Sequence, residues 1–409
     1  MFRYRQVLAV PGMAPLLGVS LLARAAITAD VTALTMYVVL GLRMNYAAAG
    51  GVSAAMATGM ALGGPLLGRL IDGRGARGVL VGTVVLQAVF WLSVPVLPYA
   101  VLLGAAFAAG LGMVPVPLVT RQAIAAMTTA AQRRTAFALE SVQGELSYMT
   151  GPPIVILLAA KTSPNLVAWG LGAAIVAGGA GLALLDPPLR AEHEADAAQA
   201  VRPRRREWLG PRMVALLLMA FGATMLLGGT DLAIVATLKE AGQVSWAAGV
   251  VAVYGIASIT GGLVYGTFRR PLPTWLLLGL LGLATVPAGL ADGWQWLCVA
   301  GAGAGLLTAP TLSAIADGVS RLAPVGVRGE ATGLQSSALS AGFALGTPVV
   351  GAAIDASLPG GGFAAAGLAG VATALTGYLL SRRAPARPRP PRRVSAAPCT
   401  SGAAPGRPG

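Results

Sequence analysis

Charge is scarce in this chain. Asp, Glu, Lys and Arg make up 11% of its 409 residues, where a soluble domain carries about a quarter. Histidine occurs once, as His193 in a charged stretch. That excludes a histidine metal cluster and a histidine proton relay within an apolar segment. The two cysteines, Cys298 and Cys399, stand in an apolar run and in the tail. Neither a disulfide frame nor a metal site follows from them. Lysine is confined to Lys161 and Lys239, and neither GxxxxGK nor HExxH occurs. The chain therefore has no phosphate loop with which to act as its own ATPase and no zinc-protease helix. No cofactor and no metal are expected. A membrane-embedded enzyme would need clustered catalytic groups, and none is visible.

Apolar residues make up 56% of the chain, and the mean hydropathy is +0.73. Nearly uncharged runs recur from end to end, and about 20 such residues suffice to cross a bilayer. The 56 glycines lie within these runs, where small residues let helix backbones approach closely. The runs are too long, and lack the alternation, for β-barrel strands. The expectation is an all-α, multi-pass membrane protein with twelve spans. They fall near 14–40, 50–71, 78–97, 100–123, 135–160, 165–185, 212–237, 247–268, 273–291, 294–317, 330–354 and 362–381. Arg3 and Arg5 ahead of the first run resemble a signal peptide, but Arg24 would stand beside the cleavage site. The segment is read as an uncleaved first span.

The sequence divides into a six-span bundle (1–185), a central loop (186–211), a second six-span bundle (212–381) and a basic tail (382–409). The tail is rich in Arg, Pro and Ala, cannot bury a core and is expected to be disordered, with weak attraction to anionic lipid. If the N-terminus is cytoplasmic, only Arg43, Lys161 and Lys239 of the 29 basic residues fall outside, and Arg24 alone lies within a span. This asymmetry fixes the orientation, with both termini in the cytoplasm. It also accounts for the net charge of +14 without nucleic acid as a partner.

The two bundles resemble each other. Ala136–Val155 aligns with Ala331–Val350 at one constant offset, pairing Gly151 with Gly346 and Pro153 with Pro348. The same offset pairs Gly110 with Gly305 and Pro115 with Pro310. Two similar halves around a long central loop are the plan of many secondary transporters, whose substrate site lies between the halves near the midplane.

Between spans two and three stands GRLIDGRGARG, Gly68 to Gly78. Its Gly68, Leu70, Asp72, Gly75 and Arg77 resemble the signature loop of the major facilitator superfamily. Gly73 replaces an arginine of that signature, Arg74 is displaced by one position, and Ala76 replaces another basic residue. Gly68 and Gly75 permit close helix approach and a tight turn. Asp72 is suited to accept hydrogen bonds at a neighbouring helix N-terminus. Arg74 and Arg77 supply charged partners across the cytoplasmic face. The resemblance implies a gate made when that face is closed and broken when it opens; the plain alternative is a loop that only holds orientation. The matching loop of the second half, Gly261–Thr274, keeps Arg269 and Arg270 but has no Asp, so the gate is expected to be asymmetric.

A charge at mid-bilayer costs at least about 2.5–3.5 kcal/mol, so those that remain should face a cavity or a partner. Arg24 and Glu145 fall near mid-depth and are expected to neutralise each other. Asp30, six residues beyond Arg24, is about 240° further around a continuous helix; it is placed in the outer half, off Arg24's face. Asp231 is its counterpart near the outer mouth, and Glu140 lies toward the cytoplasmic end. Burial disfavours the charged form of a carboxylate, so Glu145, Asp30 or Asp231 can carry a coupling proton. The alternative for each is a structural ion pair or hydrogen bond. Arg121 is read as an anchor that snorkels at the cytoplasmic end of its span. Trp246, Trp294 and Trp296 read as interface anchors. Tyr148, Phe221 and Tyr254 are available to a substrate, though packing explains them equally.

Drug–proton antiporters of the superfamily carry an Arg four residues before a span-four Gly, and Ala106 stands there before Gly110. They also carry Gly-Pro in span five. Gly151 and Pro152 match, while Ser147, Val155 and Ile156 replace the flanking glycines; the pair alone also reads as a helix bend. The expected function is secondary active transport of a small organic solute across the cytoplasmic membrane by alternating access, as proton-coupled efflux. A proton-coupled uptake symporter and a transporter-like sensor that moves nothing remain as alternatives. The lipid bilayer and protons are the other expected partners. Oligomeric state is open, and a monomer suffices.

Overall fold

The computed structural model describes residues 2–189, 203–268, 272–356 and 359–383. The expected tail from 384 onward, Arg269 and Arg270, and residues 190–202 of the central loop lie outside them. The described residues are almost entirely helical. A short helix α1 (Phe2–Leu8) precedes α2 (Met13–Thr28), α3 (Asp30–Met36), α4 (Tyr46–Arg74) and α5 (Ala76–Ser93). Then come α6 (Tyr99–Leu111), α7 (Val116–Met127), α8 (Ala130–Lys161), α9 (Pro164–Leu185) and the one-turn α10 (Arg205–Trp208). The second half comprises α11 (Pro211–Glu240), α12 (Ala247–Gly266), α13 (Thr274–Thr285), α14 (Trp294–Leu322), α15 (Arg328–Asp355) and α16 (Pro359–Arg383).

Ten helical stretches are long and apolar enough to cross a membrane. The shorter apolar stretch Thr274–Leu290 and the 32-residue α8 bring the count to twelve. α8 is the most polar because it carries Arg133, Arg134, Glu140 and Glu145. Large apolar side chains such as Leu22, Leu184 and Leu290 are 71%, 81% and 85% exposed. So broad an uncovered apolar surface belongs in lipid, and the chain is a multi-pass membrane protein. Burial is organised by half. One apolar core joins Leu34, Met56, Leu80, Trp91, Leu102 and Ile175; another joins Met219, Leu226, Leu278 and Ile315.

Two spans expected to be continuous are broken. The first stops at Ala29, between α2 and α3. The fourth stops between α6 and α7, where Pro115 and Pro117 follow Gly112; proline at the start of α7 needs no N–H partner there. The signature stretch departs in the other direction. It is helical to Arg74, and Gly75 alone, at φ +82°, separates α4 from α5. That left-handed backbone suits glycine, and the turn is one residue rather than a loop.

α8 begins with a capping box, Thr129 with Gln132, which satisfies two free N–H groups of its first turn. It runs unbroken through Gly151, Pro152 and Pro153. A Cβ on Gly151 would collide with the Ala25 carbonyl, so this glycine brings α8 against α2. The closest approach between the halves is α4 on α15. A Cβ on Gly68 would strike the Gly329 carbonyl, and one on Gly333 would strike that of Gly64. Only glycine pairs allow two backbones so near each other.

Candidate functional site

A cavity of about 380 Å³ lies between the halves, a volume suited to a small organic molecule. Arg24, Asp30, Glu140, Glu145 and Asp231 all line it, with Arg121, Tyr148 and Tyr254. The structure thus gathers all five charges singled out in the spans. A smaller space of about 190 Å³ adjoins it toward the arginine-rich face, sharing Arg24 and Arg121 and adding Ser336 and Ser340. A further crevice of about 340 Å³ is lined by residues such as Leu22, Ile154 and Leu166, holds no charged residue and lies outside the site.

The pairing inside the cavity differs from the expected one. Arg24 binds Glu140, Nη1 to Oε1 at 2.5 Å, and acts on Glu145 only through space. Glu140 and Glu145 stand five residues apart on α8, little more than one turn, and helix rotation, which the sequence does not display, selects between them. Arg121 is not an end anchor. α7 continues past it to Met127; the side chain is buried and its Nε reaches the same Glu140 oxygen at 3.2 Å. Glu140 is only 1% exposed, so a toward-the-end placement understated its role: it is the hub of a buried Arg–Glu–Arg group. Gly144 makes room for this group, since a Cβ there would lie 2.7 Å from Arg24 Nη2.

Asp30 does share the cavity with Arg24. The cavity also takes Ile27, Thr28 and Val31, so it touches a broad arc of the α2–α3 segment and the 240° offset does not exclude Asp30. Asp30 is 2% exposed; its Oδ1 accepts the Val31 N–H at 2.5 Å and its Oδ2 has no partner. Across the cavity Tyr148 donates to Asp231 Oδ2 at 2.9 Å, and its ring meets Phe343 edge-on at 6.4 Å. Ser258, whose Oγ accepts the Ala309 N–H at 3.2 Å, offers its hydroxyl to Glu145. Tyr254 pairs with Thr308 at 2.7 Å. Sequence reasoning missed Arg121 and Ser258. Arg121 was detectable as a second arginine within a largely apolar stretch, whereas a lone serine in an apolar helix gives no such signal.

On the arginine-rich face, Asp72 accepts two backbone hydrogen bonds at the N-terminus of α15, from Gly329 at 2.8 Å and from Glu330 at 2.9 Å. There an acceptor meets unpaired N–H groups and the positive helix end. The charged contacts across the seam come from other arginines than expected. Glu330, 1% exposed, pairs with Arg69 at 3.2 Å and with Arg205 of α10 at 2.5 Å. Arg74 and Arg77 point to solvent and make no ion pair with a described residue. The difference is geometric: α4 remains helical past Asp72, which keeps Arg69 on the seam and turns Arg74 away.

The pseudo-equivalent seam, α8 against α12, carries the inverse chemistry. Donors on the first half serve the free carbonyls that end α12. Thr135 bonds Gly266 O at 2.7 Å and Arg134 bonds Phe268 O at 2.7 Å. From α1, Arg3 bonds Thr267 O at 2.9 Å and Tyr4 bonds Leu263 O. Among the described residues no group of three or more His, Cys, Asp or Glu is arranged to hold a metal.

Two pseudo-symmetric helical bundles that enclose a charged cavity within lipid define a membrane transporter. A family profile of the Major Facilitator Superfamily matches residues 16–240, more than half of the chain, and the chain belongs to that superfamily. Solved structures agree on the fold. The human organic anion transporter MFSD10 (TETRAN) is 17% identical, with a TM-score of 0.70, over 92% of this chain and 99% of its own. A bacterial homologue of the iron transporter ferroportin, in its outward-facing state, is 16% identical with a TM-score of 0.69, over 90% and 99%. The Escherichia coli fucose:proton symporter FucP is 13% identical with a TM-score of 0.65, over 91% and 99%. No curated protein matches the sequence.

Proposed function

We propose that the chain is a proton-coupled exporter of a small organic solute in the cytoplasmic membrane. Its arginine-rich face and both termini are cytoplasmic, as the distribution of basic residues favours. The bundles 1–185 and 212–381 act as the two rocking bodies, joined by the 186–211 loop. The observation that carries the reading is the cavity between them, whose lining includes Asp30, Glu145 and Asp231 without an arginine bound to any of them. Those three carboxylates are the proton carriers. Arg24, Glu140 and Arg121 form the fixed charged floor. The Asp72–α15 and α8–α12 contacts form the cytoplasmic gate, with Gly68 and Gly75 allowing the approach and the turn. Gly151 holds α8 against α2, and Pro152 frees a backbone carbonyl beside the cavity. Export is preferred to uptake on the Gly151–Pro152 pair.

The test is flux in proteoliposomes with an imposed pH gradient. Export by antiport predicts that acid on the extracellular side drives solute outward. Movement of proton and solute in the same direction would establish uptake symport instead, and binding without flux would establish a sensor. Glu145→Gln is expected to abolish proton-coupled flux while leaving membrane insertion intact. Full coupling in that variant would remove Glu145 from the mechanism.

A further inference from the structure

The charges that line the cavity are segregated along its axis. At the inner end, Arg24 and Arg121 converge on one oxygen of one carboxylate, Glu140 Oε1. Two guanidinium groups face a single anion, so one positive charge is left over. Arg121 is 7% exposed, and its Nη1 is buried without a partner. At the outer end stand Asp30, Glu145 and Asp231, none of them in an ion pair; Arg24 acts on Glu145 through space, but its guanidinium is bound to Glu140. Asp30 is likewise more than nine-tenths buried and has a free Oδ2. Between the ends the wall is mostly apolar, formed by Ile27, Val31, Met60, Leu227, Val251 and Leu312, with Thr28 and Ser141 as its hydroxyls.

A buried charge lacking a counter-charge is costly, and removing one partner of a buried pair is strongly destabilising. A bound molecule that supplies the missing partner at each end gains both interactions at once. A simple organic cation satisfies Asp30 and leaves the surplus guanidinium untouched. A simple organic anion satisfies Arg121 and brings its apolar end against three carboxylates. Building on the transport site proposed above, we infer that the substrate class is an elongated zwitterion. Its ammonium group seats among Asp30, Glu145 and Asp231, and its carboxylate or other oxyanion at Arg121 and Arg24.

The helices set the length. From Arg24 to Asp30 is six residues, or about 9 Å of helix rise, and from Glu140 to Glu145 is five, or about 7.5 Å. The two charges of the substrate are therefore separated by roughly 7–9 Å across an aliphatic or otherwise apolar spacer. This arrangement also explains how solute and proton exchange. An ammonium group among the three carboxylates takes the place of protons they would otherwise hold, so its arrival releases them and its departure readmits them.

The test uses four probes on the purified full-length protein: ε-aminocaproate, hexylamine, caproate and glycine. Extended ε-aminocaproate spans about the distance between the two ends, hexylamine and caproate each keep one of its charges, and glycine keeps both with almost no spacer. Thermal stabilisation reads binding, and counterflow in proteoliposomes reads transport. The expected result is that ε-aminocaproate binds about tenfold or more tighter than each of the other three, since each charge-assisted contact is worth at least that factor. Arg121→Gln and Asp30→Asn are each expected to erase this preference, from opposite ends. Should Arg121→Gln fail to fold, Gly144→Ala, which displaces the Arg24 guanidinium, supplies the inner-end variant. Equal or tighter binding of hexylamine, of caproate or of glycine overturns the inference, as does binding of none of the four. Hexylamine moving against protons while ε-aminocaproate does not bind would sink the zwitterion and keep the exporter. Tight ε-aminocaproate binding with no proton-linked flux would keep the zwitterion site and sink the exporter.

Discussion

Asp72→Asn is the most direct probe of the gate. In the closed arrangement the carboxylate accepts two backbone N–H groups of α15, at 2.8 and 2.9 Å. A hydrogen bond to a charged group contributes about 1.5–3 kcal/mol, and a negative charge at a helix N-terminus adds about 0.3–1 kcal/mol. Asparagine keeps one acceptor oxygen, but turns an NH2 toward the second N–H and removes the charge. The closed state then loses about 2–3 kcal/mol. These contacts join α4 to α15 across the seam and cannot persist when the halves part, so the loss falls on one side of the equilibrium. At about 1.4 kcal/mol per tenfold change, the closed-to-open ratio drops roughly 30- to 150-fold. Ser336 lines the space beneath the seam, so Ser336→Cys reports the opening. With Cys298 and Cys399 replaced, its alkylation by an impermeant reagent in inside-out vesicles should accelerate by that factor, provided the closed state dominates at the outset. Arg69 and Arg205 still hold Glu330 in the variant. An alkylation rate within a few fold of the parent, in a protein that inserts normally, would mean that those pairs alone keep the face shut and that Asp72 is no gate.

Gly333→Ala should act on the same seam by a different route, because its Cβ would strike the Gly64 carbonyl. Forcing the helices apart costs about 1–3 kcal/mol, so alkylation at Ser336→Cys should rise while thermal stability falls. Glu140→Gln strips the single anion from Arg24 and Arg121. Breaking a buried ion group this way costs about 3–5 kcal/mol, so its melting temperature should fall well below that of Glu145→Gln, whose carboxylate has no arginine bound to it. Arg3→Ala removes a donor from the α12 carbonyl end, a loss of about 1 kcal/mol. Protease access to the α12–α13 connection should increase measurably, with no effect on the α4–α15 seam.

The twelve-span architecture was legible because lipid leaves few choices. Each span had to be a long apolar helix, and the glycine and proline coincidences revealed the repeat. The charged lining of the cavity was legible for a related reason: a charge that persists in an apolar run must face a cavity or a partner, and Arg24, Asp30, Glu140, Glu145 and Asp231 all reach one cavity. Their pairing was not legible. It depends on helix rotation and on how far each span runs. A narrow contact face left Asp30 out, whereas the cavity draws on a broad arc of the first span. A span ending at 123 put Arg121 at the surface, whereas α7 runs on to Met127. At GRLIDGRGARG the glycines suggested a loop, but Gly68, Gly73 and Gly78 are helical, Gly68 alone permits the contact with α15, and only Gly75 is a turn.

The two seams show why a missing motif residue did not leave a missing contact between the halves. In α4–α15 an acidic side chain near the end of one helix meets the N–H groups that begin another. In α8–α12 the residue that corresponds to Asp72 under the internal repeat is Thr267, which offers no carboxylate. The residues that correspond to Gly329 and Glu330 are Arg134 and Thr135, which bring side-chain donors. Those donors turn to the carbonyls that end α12, aided by Arg3 and Tyr4 of α1. Every helix end leaves four N–H or four C=O groups unpaired, and either set can be served from the opposite half. What the repeat preserves is therefore the meeting of a helix start with a helix end across the seam. Which partner brings the donor is free to change, and here it has changed.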